Sequence, residues 1–228
     1  MLKRLLKKAE IPLLILVPLV LMTCAIFSIA NSALLTLFVV VLALVVFLAR
    51  FELSKPSLQD ILPPVVLGSF AAAGRILFAA IPDCKPVSAV CILAGVIFGR
   101  HTGFLVGALG AFVSNFFFGQ GPWTPWQMYA WAMIGYGAGF LQEKGFFDRG
   151  PILYLYGFFS GIAYGFLLNT WHIVGFVHPL TWESAFIAYA ASLAFDVGHG
   201  LSTLAFLLII YAPWKKKLMR LKKKYELL

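Results

Sequence analysis

Charge is scarce in this chain. Only 12% of its 228 residues are Asp, Glu, Lys or Arg, against about a quarter in an average water-soluble domain. Hydrophobic residues reach 61% and the mean hydropathy is +0.92. A compact fold of this composition has too little polar surface for water. With lipid as the solvent of its outer face it is an all-α, polytopic membrane protein. Cysteine is also scarce: Cys24, Cys84 and Cys91 show no paired or C-x-x-C spacing, so no disulfide framework or zinc site is expected. No Gly-Lys pair occurs, which excludes the phosphate-binding G-x-x-x-x-G-K-[ST] loop and ATP hydrolysis by that route. G-x-S-x-G and H-E-x-x-H are absent too. Acid is the rarer sign, and the net charge is +9. The excess sits mainly in the tails, Lys3–Lys8 and Lys215–Lys224. That fits anchors beside anionic lipid and calls for no nucleic-acid partner.

Apolar segments fill the rest. Polar or Gly/Pro breaks divide them into eight candidate helices: 11–30, 33–50, 61–80, 86–99, 103–118, 126–142, 151–171 and 184–212. The segment 86–99 is short for a span of about 20 residues. The N-terminus imitates a secretory signal, with basic residues, an apolar run and Ser28-Ile29-Ala30. Its apolar run is longer than the roughly 7–15 residues of a secretory core, so a retained helix is expected. With the N-terminus in the cytoplasm, every Lys and Arg except Arg75 and Lys85 falls at a cytoplasmic end or loop. The positive-inside rule therefore places both termini on the cytoplasmic side of a cell membrane. The outer loops are then Asn31-Ser32, Pro82–Lys85, Gly119–Pro125 and Trp171–Glu183.

The outer face is rich in aromatics and amides. "GQGPWTPWQM", Gly119–Met128, is stiffened by two prolines and carries Trp123 and Trp126. Trp171, His172, His178 and Trp182 follow in the last outer loop. Trp favours membrane interfaces generally, but both faces should then carry it, and the inner face offers only Trp214. A ligand rim is the favoured reading. Arg75, inside an apolar helix, pairs with a carboxylate, snorkels outward or binds an anionic group on a ligand. Asn115, Gln120, Gln127 and Asn169 supply donors and acceptors toward the same side, or satisfy loop backbone. Asp196 and His199, three apart on one helix, form a candidate dyad for an intramembrane enzyme. They are too few for a metal site, and no cofactor is expected. Gly68, Ser69, Ala72 and Ala73 form small-xxx-small rows that admit a close helix partner.

The run "GRILFAAIPDCKPVSAVCILAGVIFGRHTGFLVGALGAFVSNFFFGQGPWTPWQM", followed by "WAMIGYGAGFLQ", resembles the substrate-binding S component of energy-coupling factor (ECF) vitamin transporters. The resemblance lies in Pro82…Lys85-Pro86, Ala94-Gly95-x-x-Phe98-Gly99, Gly103-x-x-x-Gly107, Ser114-Asn115 and Gly119–Met128, in one order. It implies a six-helix vitamin-binding domain over 56–228; the transmembrane hairpin over 1–55 departs from the family's pattern. It implies capture of a vitamin from outside between outer loops and helix ends, where the residues read above as binding candidates are Arg75, Asn115, Gln120, Trp123, Trp126, Gln127, Asn169, Trp171, His172, His178 and Trp182. It further implies docking through Gly68, Ser69, Ala72 and Ala73 to a transmembrane coupling subunit served by two ATPases, with toppling of the S component in the bilayer. The aromatic rim suits a large planar ligand such as cobalamin or a related corrinoid. Folate-like and queuosine-precursor ligands stay open.

Overall fold

The computed structural model describes residues 2–27, 32–148 and 150–227. Ser28-Ile29-Ala30, Asn31 and Arg149, which the sequence reading placed in a cleavage-like run or in loops, lie outside the described residues. The described residues form eight α-helices, one 3-10 turn at Phe146–Asp148 and no strand. The helices are α1 (Leu2–Phe27), α2 (Ser32–Leu53), α3 (Leu58–Leu77), α4 (Val87–Phe98), α5 (Arg100–Phe118), α6 (Thr124–Glu143), α7 (Gly150–Phe176) and α8 (Trp182–Lys224). Five of them contain stretches long and apolar enough to cross a membrane: α2, α3, α5, α7 and α8. The chain is an all-α membrane protein.

The short segment becomes α4, and its place explains its length. Its 12 residues rise only about 18 Å. Residues from Ser88 to Ala94 are buried on every side, because α3, α5, α6, α7 and α8 all pack on it. A helix apolar all round is a core helix, and a core helix needs no span of its own. Gly99, at φ +91°, turns the chain from α4 into α5, a conformation that favours glycine. α5 then lies almost backbone to backbone on α6. A Cβ on Gly103 would stand 2.4 Å from the Gly135 carbonyl oxygen, so this approach is open only to glycine.

α1 and α2 form the expected hairpin and lie on α6 and α7. Leu14, Val17 and Leu21 of α1, with Val40, Ala43 and Phe47 of α2, share a core with Phe104, Trp126, Tyr129 and Trp171. Phe47 stacks on Phe104, with ring centroids 3.6 Å apart. Pro18 has no N–H for the carbonyl of Leu14 one turn earlier. The Tyr129 hydroxyl, from α6, donates to that carbonyl instead. The hairpin is thus joined to the bundle by a specific hydrogen bond as well as by apolar packing.

Candidate functional site

At the bundle end that carries the Gly119–Trp123 loop, Arg75 leaves the last turn of α3 and points inward. Its Nη1 donates to Ser114 Oγ at 2.7 Å and to Asn115 Oδ1 at 2.6 Å. Asn115 Nδ2 donates to Thr124 Oγ1 at 3.0 Å and to Gln127 Oε1 at 2.8 Å. Thr124 Oγ1 in turn donates to Gln120 Oε1 and receives the Gly121 N–H. α3, α5, the loop and the start of α6 are therefore tied by one polar chain. All the partners of Arg75 in it are neutral, and no carboxylate ion-pairs with it among the described residues. Buried cations are ordinarily paired. Here Nε and Nη2 keep donors to spare.

An aromatic shelf lies beside this cation. The Arg75 Cζ stands 4.5 Å from the Phe118 ring centre and 4.9 Å from that of Trp131. Trp131 stacks on Tyr164 at 4.5 Å, and Tyr164 meets His199 edge-on at 4.9 Å. Ser88 Oγ holds both ends of the shelf, accepting from Trp131 Nε1 at 3.1 Å and lying 3.2 Å from His199 Nε2. A half-buried guanidinium over a stacked aromatic floor suits a flat, electron-rich ring system with acceptors on its edge.

A second polar group sits between α7 and α8. Asn169 Nδ2 donates to Asp196 Oδ2 at 3.0 Å and to Ser192 Oγ at 2.8 Å. Gly165 makes room for the carboxylate: a Cβ there would fall 1.8 Å from Asp196 Oδ1. Asp196 and His199 share a helix face but not a hydrogen bond. The carboxylate turns to Asn169 and Ser192, the imidazole to Ser88. No cluster of metal-ligating side chains forms among the described residues. The loop before α4 closes over this side, where the Lys85 N–H donates to Ser202 Oγ. Lys85 Nζ donates to the carbonyls of Phe78 and Ile81 beyond α3. Burial raises the Asp83 carboxyl above the usual range, against the pull of Lys85, and lowers the Lys85 ammonium.

The expected site residues separate on this geometry. Arg75, Asn115, Gln120 and Gln127 belong to one network, and Asn169 belongs to the neighbouring Asp196 group. Trp123 is exposed and lays its ring over Gly121. Trp126 and Trp171 are buried under the hairpin and stack on each other. The Trp126 Nε1 finds no partner among the described residues. His172 is exposed against Phe176; His178 is exposed on the loop into α8 and Trp182 at the first position of that helix. The rim expected from these aromatics does not close around one point. Of the expected docking residues, Gly68 and Ala72 turn into the bundle, Gly68 against Leu109. Ser69 and Ala73 face outward. Ser88, Ser114, Thr124, Trp131 and Tyr164 were missed. Trp131 follows Gln127 by four residues on α6, and that helical spacing was the available signal.

A family model described as "ECF-type riboflavin transporter, S component" matches residues 65–216, which is most of α3 through α8 and none of the hairpin. No solved structure matches the chain. With two-thirds of its length matched across the helices that build the polar site, the chain belongs to the family of ECF-type riboflavin transporter S components.

Proposed function

We propose that the chain captures a flavin-like vitamin at the end carrying the Gly119–Trp123 loop, and that this end faces out of the cell. The observation that carries the proposal is Arg75: a half-buried guanidinium with neutral partners only, spare donors, and the Trp131–Tyr164 stack beside it. Trp131 is buried, so a tricyclic isoalloxazine offers its flat face to Phe118, the exposed ring beside Arg75, and carbonyl and imine acceptors to the guanidinium. The printed description of the family, which names riboflavin, points to the same chemistry. A corrinoid is less well served, because the rim that would hold it is divided, with Trp126 and Trp171 packed beneath the hairpin. Asn169, Asp196 and His199 line the α7–α8 side of the same end and are suited to a polar tail.

The distribution of Lys and Arg supports the outward orientation, with both termini in the cytoplasm. Energy for uptake comes from partner subunits: a transmembrane coupling subunit that packs on α3 and two ATPases behind it. The outward row of α3, Ser69 and Ala73 flanked by Val66 and Phe70, is the proposed contact.

The test is a titration of the purified chain with riboflavin, cobalamin and a folate, followed by flavin or tryptophan fluorescence. Saturable binding of riboflavin, with no competition by the other two, is the expected outcome. Binding of cobalamin alone would overturn the flavin assignment, and binding of none would overturn vitamin capture at this site.

A further inference from the structure

α1 and α8 pack on two sides of α7, and a cleft of about 440 Å³ separates them. Its walls are Leu21 and Met22 of α1, Phe166 and Thr170 of α7, and Ala185 and Tyr189 of α8. Pro18 and Leu167 form its floor and also border a cavity of about 350 Å³ behind Tyr164. The hydroxyls of the α7 and α8 walls are already occupied. Thr170 Oγ1 and Tyr189 OH hydrogen-bond each other at 2.7 Å, and Thr170 also donates to the Phe166 carbonyl. Phe166 and Tyr189 stack at 5.1 Å, which holds that wall flat. The mouth is edged by Met22, 56% exposed, and Trp182, 83% exposed, on the flank of a membrane-embedded bundle.

We propose that this cleft binds one alkyl chain of a membrane lipid. The hydrocarbon core of a bilayer holds no water to fill such a space, and an apolar cavity stays dry in any case. Deep in the lining, the Thr170 and Tyr189 hydroxyls bond to each other and to the Phe166 carbonyl; Thr181 and the Trp182 indole bring polar groups only at the mouth. From Leu167 to Val174 the cleft follows α7 for about 10 Å, most of the roughly 15 Å that one leaflet contributes to the hydrocarbon core. Lipid chains are the apolar species present beside it. One wall belongs to α1, which lies outside the residues matched by the family. The site is therefore a property of the added hairpin and independent of which vitamin the chain takes.

The experiment uses the full chain in phosphatidylcholine and phosphatidylglycerol vesicles doped with a phospholipid bearing a diazirine midway along one chain. After irradiation, adducts are mapped by mass spectrometry. Adducts on the Pro18–Met22 and Phe166–Val174 peptides, several-fold above those on the bare α3 flank around Val65, are expected. Ala185→Trp, which fills the cleft, should lower them to the α3 level while riboflavin binding and thermal unfolding stay unchanged. Met22→Trp, filling from the exposed hairpin edge of the cleft, should do the same and serves if Ala185→Trp misfolds. Labelling of the cleft no stronger than that of α3, or labelling that survives a folded filled variant, would overturn the proposal.

Discussion

The two flanks of the bundle have opposite characters. On one, α3 shows Val65, Val66 and Phe70 to the surroundings, with Ser69 and Ala73 between them. On the other, α6 and α7 are roofed by the hairpin, and Trp126 and Tyr129 are buried beneath it. Both flanks are apolar, so hydropathy does not distinguish them. The difference lies in side-chain size and in hydrogen bonding. The α3 flank alternates small and large residues and makes no bond outward. The α6–α7 flank is filled with aromatics and bonded to α1 through Tyr129 and the Leu14 carbonyl. One flank is open to a partner and the other already has one. The added hairpin can therefore coexist with docking on α3.

The largest expected effect is on the open flank. Ala73→Trp should reduce vitamin uptake in cells to background while purified protein binds vitamin normally. Val45→Trp, on the exposed face of the hairpin, should leave uptake intact. Equal effects of the two would erase the contrast between the flanks. On the covered flank, Trp126→Ala should cost about 3–5 kcal/mol of stability by leaving a cavity, read by thermal unfolding in detergent. Vitamin affinity should change little, since Trp126 faces the hairpin. A large loss of affinity in folded protein would return Trp126 to the ligand rim. Tyr129→Phe should cost about 1–3 kcal/mol, because Pro18 cannot replace the lost donor to Leu14. A neutral result would mean that apolar packing alone holds the hairpin. His178→Ala, at an exposed loop position, should stay within about 0.5 kcal/mol of the parent and leave affinity unchanged. A clear loss of affinity would revive a ligand with an imidazole contact.

Much of this architecture was legible in the sequence, because helices in lipid follow from hydropathy and loop chemistry. The eight segments and the shortness of α4 were visible there. The facing of single residues was not. Neighbouring residues on a helix point about 100° apart. Gln127 therefore enters the polar network while Trp126, one position earlier, enters the hairpin seam. Ser69 and Ala73 look outward while Gly68 and Ala72 look inward by the same rotation. Composition marked all of these as one rim or one docking motif. Only the packing of α1, α2 and α5 decides which side each takes. Arg75 was visible as a costly residue, and its neutral partners Ser114 and Asn115 came from one other segment of the chain, α5.

The most direct measurement is the affinity of purified Arg75→Ala for riboflavin beside that of the parent chain. Loss of a charge-assisted hydrogen bond of about 1.5–3 kcal/mol predicts a dissociation constant about ten to a hundred times higher in protein that still unfolds cooperatively. An unchanged dissociation constant would contradict the account, since Arg75 would then be only a structural tie between α3 and α5.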